Sequence, residues 1–418
     1  MCRQRHEMIL QLKNVSLLFS AQLVSYLIPI LEVPILARAL GVEDYGHILL
    51  VQTVALLCSL FVEYGFSLSG SRQVALCSED KSRLSKIYNQ VTSAKIMLTC
   101  SMVLISLIII FVSRVDVEPL TALWGYIYFI AFGFSSVWLF QGLEKITFPI
   151  VFEVCLRFVG LLVLFIFVSQ PEDAGKALMI MSSFALLNTL VGFYLVYKVV
   201  GCFSLELKGG IAQIKDGFHG FLYKSSNNIM LSAGPALVGA MCGQAAVAKF
   251  APAEKIIKAS VGLVGPVLIG LYPYLSRKLL QSTSVNLKFS SFIVLGLFFA
   301  GVVGASIIYF LGEYLIGLML GPGFEEAIVI LRIFVFIIPF RMMSQAMGLT
   351  VFMPLGRDRV LSSLLMFFSV FSLLLAALLS YVFELKGIVY GLVFSEVVFS
   401  LALVLFALNI KQVENHVC

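Results

Sequence analysis

Twelve apolar stretches follow one another along this chain with only short polar joints between them, at 15–36, 47–68, 91–113, 120–140, 148–168, 177–199, 223–241, 249–274, 289–311, 327–351, 360–382 and 388–410. The hydrocarbon core of a bilayer takes about 20 apolar residues per helix, and each stretch is close to that length. Lipid offers the backbone no hydrogen-bond partner, so a span must close its own bonds as a helix. Barrel strands would show alternating segments of about ten residues instead. The expected fold is an all-α integral membrane protein of twelve transmembrane helices. Composition agrees: 60% of residues are hydrophobic and 12% charged, where an ordinary soluble domain carries about 25% charge.

The opening MCRQRHEMILQLKN has no small-residue cleavage site and runs straight into a full-length span, so no removable signal peptide is expected. Basic joints stay on the cytoplasmic side. About nineteen Lys and Arg fall in joints and tails of one side, while Arg38, Arg114, Lys176, Lys249 and Lys386 fall on the other beside a larger acidic set. Both termini are therefore expected in the cytoplasm. The formal net charge of +6 follows from this topology and implies no nucleic-acid partner.

The longest joint, 201–220 (GCFSLELKGGIAQIKDGFHG), divides the chain into an N-terminal lobe, 1–200, and a C-terminal lobe, 221–418, of six helices each. A weak internal repeat supports the division. Val33-Pro34 in VPILARALGVEDYG is echoed by Gly234-Pro235 in GPALVGAMCGQAAVAKF, about half a chain later. Six spans preserve orientation, so the lobes would be parallel repeats about an axis along the membrane normal, around a central cavity where substrates bind.

Several chemistries are missing from the sequence. There is no GxxxxGK[ST], GxSxG or HExxH. The eight cysteines include no CxxC, and the four histidines are scattered near span ends or in tails, so neither a metal nor another cofactor is expected. No outer joint is long enough to house a catalytic site. A transporter, with no catalytic residues, is the default reading.

Charged residues inside spans carry the functional information, because each costs about 3 kcal/mol or more at mid-bilayer unless it meets a partner or a wet cavity. The cations are Arg38, Arg157, Lys255, Lys258, Arg332 and Arg341; the acids are Glu32, Glu63, Glu153, Glu254 and Glu396. Glu153 with Arg157, and Glu254 with Lys258, are four residues apart and can neutralise each other on one helix face. Lys255 lies about 60° around the helix from Lys258. Together with Arg332 and Arg341 it has no partner nearby in sequence. Arg332 and Arg341 point to opposite faces of a straight helix, so both reach one cavity only if Pro339 kinks the span.

Counted at ~1.5 Å per residue from the outer end of each span, Glu32, Lys255 and Arg332 lie roughly 9 Å deep and Lys258 roughly 13 Å. Arg341 is nearer the cytoplasmic side, and Arg157 lies roughly 13 Å in from it. Cations spaced this way suit a polyanionic head group handed from one to the next. Arg38 has a plainer reading, in which it reaches out to the outer head groups.

The stretch EVPILARALGVEDYGHILLVQTV followed by EYGFSLSGSRQVA resembles the opening of Wzx-type polysaccharide flippases, within the multidrug/oligosaccharidyl-lipid/polysaccharide exporter superfamily. Pro34, Arg38, Leu40-Gly41, Tyr45-Gly46, Tyr64-Gly65 and Arg72 occupy the typical places. VWLFQGLEKI at 137–146 is similar to a W-x-F-Q-G-x-E segment of that subgroup, and VAKFAPAEKIIKA with LYPYLSR extends the match into the second half. Read from its residues alone, Trp138 is an interfacial aromatic anchor and Gly142 ends a helix. The outer turn 243–248 departs from a symmetric pattern, carrying Lys249 in place of a counterpart to Arg38.

The resemblance implies a flippase for undecaprenyl-pyrophosphate-linked oligosaccharide, the repeat unit of O-antigen or a related surface polysaccharide. Transport would run from the cytoplasmic to the periplasmic leaflet of the bacterial inner membrane by alternating access. Membrane lipids, a polysaccharide polymerase and a chain-length regulator are the implied partners. Arg38, Arg157, Lys255, Lys258, Arg332 and Arg341 would meet the pyrophosphate. Glu32, Glu63, Glu254 and Glu396 would couple an ion or, preferably, serve as counter-charges. Three rivals fit less well. A drug or organic-cation antiporter needs an anionic cavity, a membrane polysaccharide polymerase needs a large outer loop, and a twelve-span sugar facilitator carries a different joint after span 2.

Overall fold

The computed structural model describes the backbone of residues 2–113, 118–201, 203–262, 264–265, 268 and 283–417, and the side chains of 24, 26–108, 118–201, 203–218, 221–222, 225, 232–262, 264–265, 268, 289–357 and 359–408. Arg114, the LYPYLSR segment and the inner end of the eighth expected span lie outside the described residues.

The described chain is helical almost throughout, with no strand. In order the helices are α1 (Cys2–Glu63), α2 (Phe66–Ala75), α3 (Lys81–Ser113), α4 (Pro119–Gly133), α5 (Val137–Gly142), α6 (Thr147–Phe167) and α7 (Ala174–Val200). There follow α8 (Leu207–Ser232), α9 (Gly234–Cys242), α10 (Gln244–Gly262), α11 (Thr283–Leu320), α12 (Glu325–Phe334), α13 (Ile337–Met347) and α14 (Asp358–Val417), with a π-helical turn at Gly348–Phe352 before the last. Seven helices among the described residues are long and apolar enough to cross a membrane, or eight when the bent pair α12–α13 is taken as one span. This is an all-α, multi-span membrane protein.

Two of those helices run for 50 residues each, Tyr26–Ala75 and Arg359–Leu408. At ~1.5 Å per residue that is about 75 Å, against a hydrocarbon core of about 30 Å, so each must change direction to remain in the bilayer. Non-helical residues within them include Gly41 (φ 73°, ψ −174°) and Glu384 (φ 51°, ψ −133°), and Tyr64 and Gly65 (φ 46° and 74°) separate α1 from α2. Only glycine takes the first conformation without strain, which accounts for Gly41 in the LGVEDYG stretch.

Broken spans expose carbonyls that water cannot reach, and side chains from neighbouring helices satisfy them. Between α4 and α5 the helix opens at residues 134–136. Around this break Ser71 Oγ donates to the Trp138 carbonyl at 2.8 Å, Thr189 Oγ1 to Ala131 at 2.7 Å and Lys95 Nζ to Ser135 at 3.0 Å. The break between α12 and α13 has a different cause. Pro339 has no N–H to give the Val335 carbonyl, which accepts from Ile338 at 3.1 Å instead, and the two helices meet at 41°. The kink expected from Pro339 is present, just before the proline.

The chain forms two compact units, one of Met1–Arg38 with Leu237–Cys418 and the other of Ala39–Ala236. These bounds differ from a division by sequence order at 201–220, and side chains give the reason. In the first unit a methyl on Gly262 would overlap the Tyr26 ring, so α1 lies directly on α10. Arg38 Nη2 also donates to the Leu318 carbonyl at 2.5 Å. In the second unit the expected joint is largely helix, because α8 begins at Leu207. Gln213 exchanges amide hydrogen bonds with Gln73 at 2.9 and 3.1 Å and reaches Gln90 at 3.3 Å, which fixes the joint to α2 and α3.

Candidate functional site

The first half of α1 runs antiparallel to α10 with a fixed register: Tyr26 meets Gly262, and six residues further on Glu32 is the acid that acts most strongly on Lys255. On α10 itself Lys258 Nζ lies 2.9 Å from Glu254 Oε2, with the Lys258 side chain 27% exposed and that of Glu254 7%. The pair forms because four residues bring two side chains over one another on a helix, as the sequence predicts. Four charges, Glu32, Glu254, Lys255 and Lys258, therefore collect on two touching helices, with the Lys258 ammonium more accessible than Glu254.

Arg341 has a different environment. Its Nη1 lies 2.9 Å from Glu396 Oε2, and the two side chains are 4% and 1% exposed. Ser344 Oγ donates to the other carboxylate oxygen at 2.7 Å and to the Arg341 carbonyl at 3.1 Å. The carboxylate is thus held from both sides within the packing of α13 on α14. Arg332 pairs with Glu313 of α11 at 3.2 Å, largely exposed, and stands 5.8 Å from the centre of the Tyr309 ring.

The acids that act on Lys255, Arg332 and Arg341, cations with no partner nearby in sequence, come from elsewhere in the chain. Two of the partners lie 19 and 55 residues away in sequence, and Glu32 is on α1, where a search within one helix cannot find them. Arg332 and Arg341 are each one half of an ion pair. The Arg341 side chain is 4% exposed in this structure, with Glu396 against it.

The remaining candidates take local roles in the structure. Arg38 binds the Leu318 carbonyl in the last turn of α11, where a cation meets both an unsatisfied carbonyl and the negative end of the helix. Glu63 Oε1 accepts from the Ser67 amide at 3.1 Å, at the start of α2, where N–H groups lack helical partners. Arg157 Nη2 pairs with Glu153 Oε1 at 2.6 Å, the second expected four-residue pair. Beside it lies a small cavity of about 20 Å³ whose polar lining includes Ser135, Ser136, Asn188 and Thr189. The structure brings Glu32, Glu254, Lys255 and Lys258 together, and Arg341 with Glu396, while Glu63, Glu153 and Arg157 belong to the other unit.

Two readings of single residues change. Trp138 is 4% exposed, stacked on Tyr88 and pressed against Gly70, so it is a packing residue and not an interfacial anchor. Its neighbour Gly142 admits the Ser71 carbonyl, which a Cβ would meet at 2.6 Å. The count of basic joints puts Lys95 in a cytoplasmic joint, but α3 begins at Lys81, which carries Lys95 about 21 Å along the helix and leaves it 2% exposed.

The fold has solved counterparts. A structure described as "Lipid II flippase MurJ, inward closed conformation" aligns with a TM-score of 0.71 at 14% identity, covering 94% of this chain and 87% of that one. An inward-facing multidrug resistance MATE family transporter of the MOP superfamily aligns at 0.64 with 16% identity, covering 94% and 96%. In sequence, a protein of Shigella dysenteriae named "Putative O-antigen transporter" is 27% identical over 406 residues, 95% of this chain and 99% of its own length. One of the same name from Escherichia coli (strain K12) is 27% identical over 412 residues, 96% and 97%. These relatives are named as transporters and a flippase, not enzymes. The family model for polysaccharide biosynthesis proteins matches residues 11–279, and the chain belongs to that family.

Proposed function

We propose that this protein is a lipid-linked oligosaccharide flippase. It carries undecaprenyl-pyrophosphate-linked repeat units of O-antigen, or of a related surface polysaccharide, from the cytoplasmic to the periplasmic leaflet of the inner membrane by alternating access, with both termini cytoplasmic. The reading joins the family of the chain to one observation: two lysines on α10, Lys255 and Lys258, stand among carboxylates, in a stretch whose expected depth makes an uncompensated charge expensive. An ammonium can bind a phosphate oxygen as a point charge without a fixed geometry, which suits a ligand that must leave again.

The two-lobed repeat is supported by matching irregularities half a chain apart. Gly41 and Gly243 both have positive φ, at 73° and 84°, and spans break at 134–136 and at 335–336.

The test is replacement of Lys255 and Lys258 by Gln in the native host. Compared at matched protein level, surface polysaccharide should fall and lipid-linked repeat units should collect in the cytoplasmic leaflet. Wild-type surface polysaccharide in both variants at wild-type expression would exclude α10 as the path of the pyrophosphate.

A further inference from the structure

Three ion pairs of the C-terminal unit differ in how far a solute can reach them. Arg341–Glu396 is closed on both sides, whereas Arg332–Glu313 is open on both sides and at that exposure contributes little. Lys258–Glu254 is open on one side only: the ammonium is 27% exposed and the carboxylate 7%. An anion arriving at this site touches Lys258 before it touches Glu254.

Charge balance governs how such an anion can bind. Glu32, Glu254, Lys255 and Lys258 sum to a formal charge of zero, so the resting site holds no surplus cation for an incoming pyrophosphate. The ammonium of Lys258 has three donors, and one of them is engaged by Glu254 at 2.9 Å. A phosphate oxygen binds strongly there only by taking over from that carboxylate.

Resting on the flippase reading, we infer that Glu254 is a built-in placeholder for the substrate's phosphate. It occupies Lys258 when the site is empty, is displaced when the pyrophosphate binds, and returns to expel it. Binding is then an exchange of one anion for another, which keeps the lysine compensated in the apolar surroundings at every stage and keeps affinity low enough for release. Glu254 is a positioning residue in this scheme and Lys258 the contact residue. Glu32, opposite Lys255 on α1, keeps the second lysine compensated.

The scheme predicts an effect opposite to that of a merely structural pair. Removing the competing charge by Glu254→Gln should tighten binding of farnesyl pyrophosphate, a short prenyl pyrophosphate, by about tenfold, the scale of one charge-assisted hydrogen bond, and should slow its dissociation. Surface polysaccharide should nevertheless fall. Lys258→Gln should weaken binding, and farnesol should bind every variant alike.

The measurement uses the full chain in nanodiscs of zwitterionic lipid, with thermal midpoints to confirm folding. Glu254→Asp, whose shorter arm loosens the 2.9 Å contact, gives a second variant with the same expected sign. Unchanged or weaker binding in both Glu254 variants, beside clear wild-type binding, would overturn the placeholder and leave the flippase reading standing. Absence of farnesyl pyrophosphate binding in wild type and all variants would overturn that reading together with the placeholder.

Discussion

Arg341 and Glu396 form an ion pair at 2.9 Å in which both side chains are almost wholly shielded, one from each of two packed helices 55 residues apart in sequence. Ser344 Oγ donates to the other carboxylate oxygen at 2.7 Å. The pair therefore belongs to the interior of its unit, and its effect should be on stability first.

Breaking a buried pair from one side strands a charge, at a cost of about 3–5 kcal/mol, whereas replacing both partners by apolar residues of similar volume is often neutral. Glu396→Gln alone should sharply lower the thermal midpoint of the purified protein in detergent. The double change Arg341→Met with Glu396→Leu should recover most of the loss. A double variant no more stable than the single one would show that the two residues do not act as a pair.

Gly142 is held within 2.6 Å of the Ser71 carbonyl and 2.7 Å of Val74 Cβ, measured from where its own Cβ would be. Backbone lies on one side of that gap and cannot rotate away. Gly142→Ala should therefore separate α5 from α2 and cost about 1–3 kcal/mol, the usual penalty of overpacking. The readout is the thermal midpoint together with near-ultraviolet circular dichroism, to which Trp138 contributes from α5, where it packs on Gly70 of α2.

The basic-joint asymmetry predicts that reporters fused to truncations ending at Lys81, Lys215 and Arg357 are cytoplasmic. Those ending at Glu118, Asp173 and Glu325 should be periplasmic. Alkaline phosphatase activity at Lys215 would reverse the orientation of α8 and with it the parallel arrangement of the halves.

How much of the fold and the site is legible in the chain varies from residue to residue. Glu254–Lys258 and Glu153–Arg157 can be read directly, because a helix places residues four apart on one face whatever else the protein does. The burial of Lys95 cannot, because its partner, the Ser135 carbonyl, sits in a helix break 40 residues away. Trp138 is ambiguous for a related reason. An aromatic at a span end suits either the head-group region or a tight helix contact, and only Gly70 and Tyr88 opposite it decide which.

The sequence by itself determined that the chain is helical and crosses the membrane many times, since the cost of unpaired backbone in lipid leaves a long apolar run no other conformation. It also marked which residues would be charged within the apolar stretches, and Pro339 as a point where a span could kink. Only the tertiary structure decided which charges face one another. Glu32 reaches Lys255 through the register of α1 on α10, Arg341 reaches Glu396 through the packing of α13 on α14, and Arg38 reaches a carbonyl instead of a carboxylate. Charges between helices are matched by how surfaces fit, and that fit is a property of all the helices together, with no period or spacing along the chain to announce it.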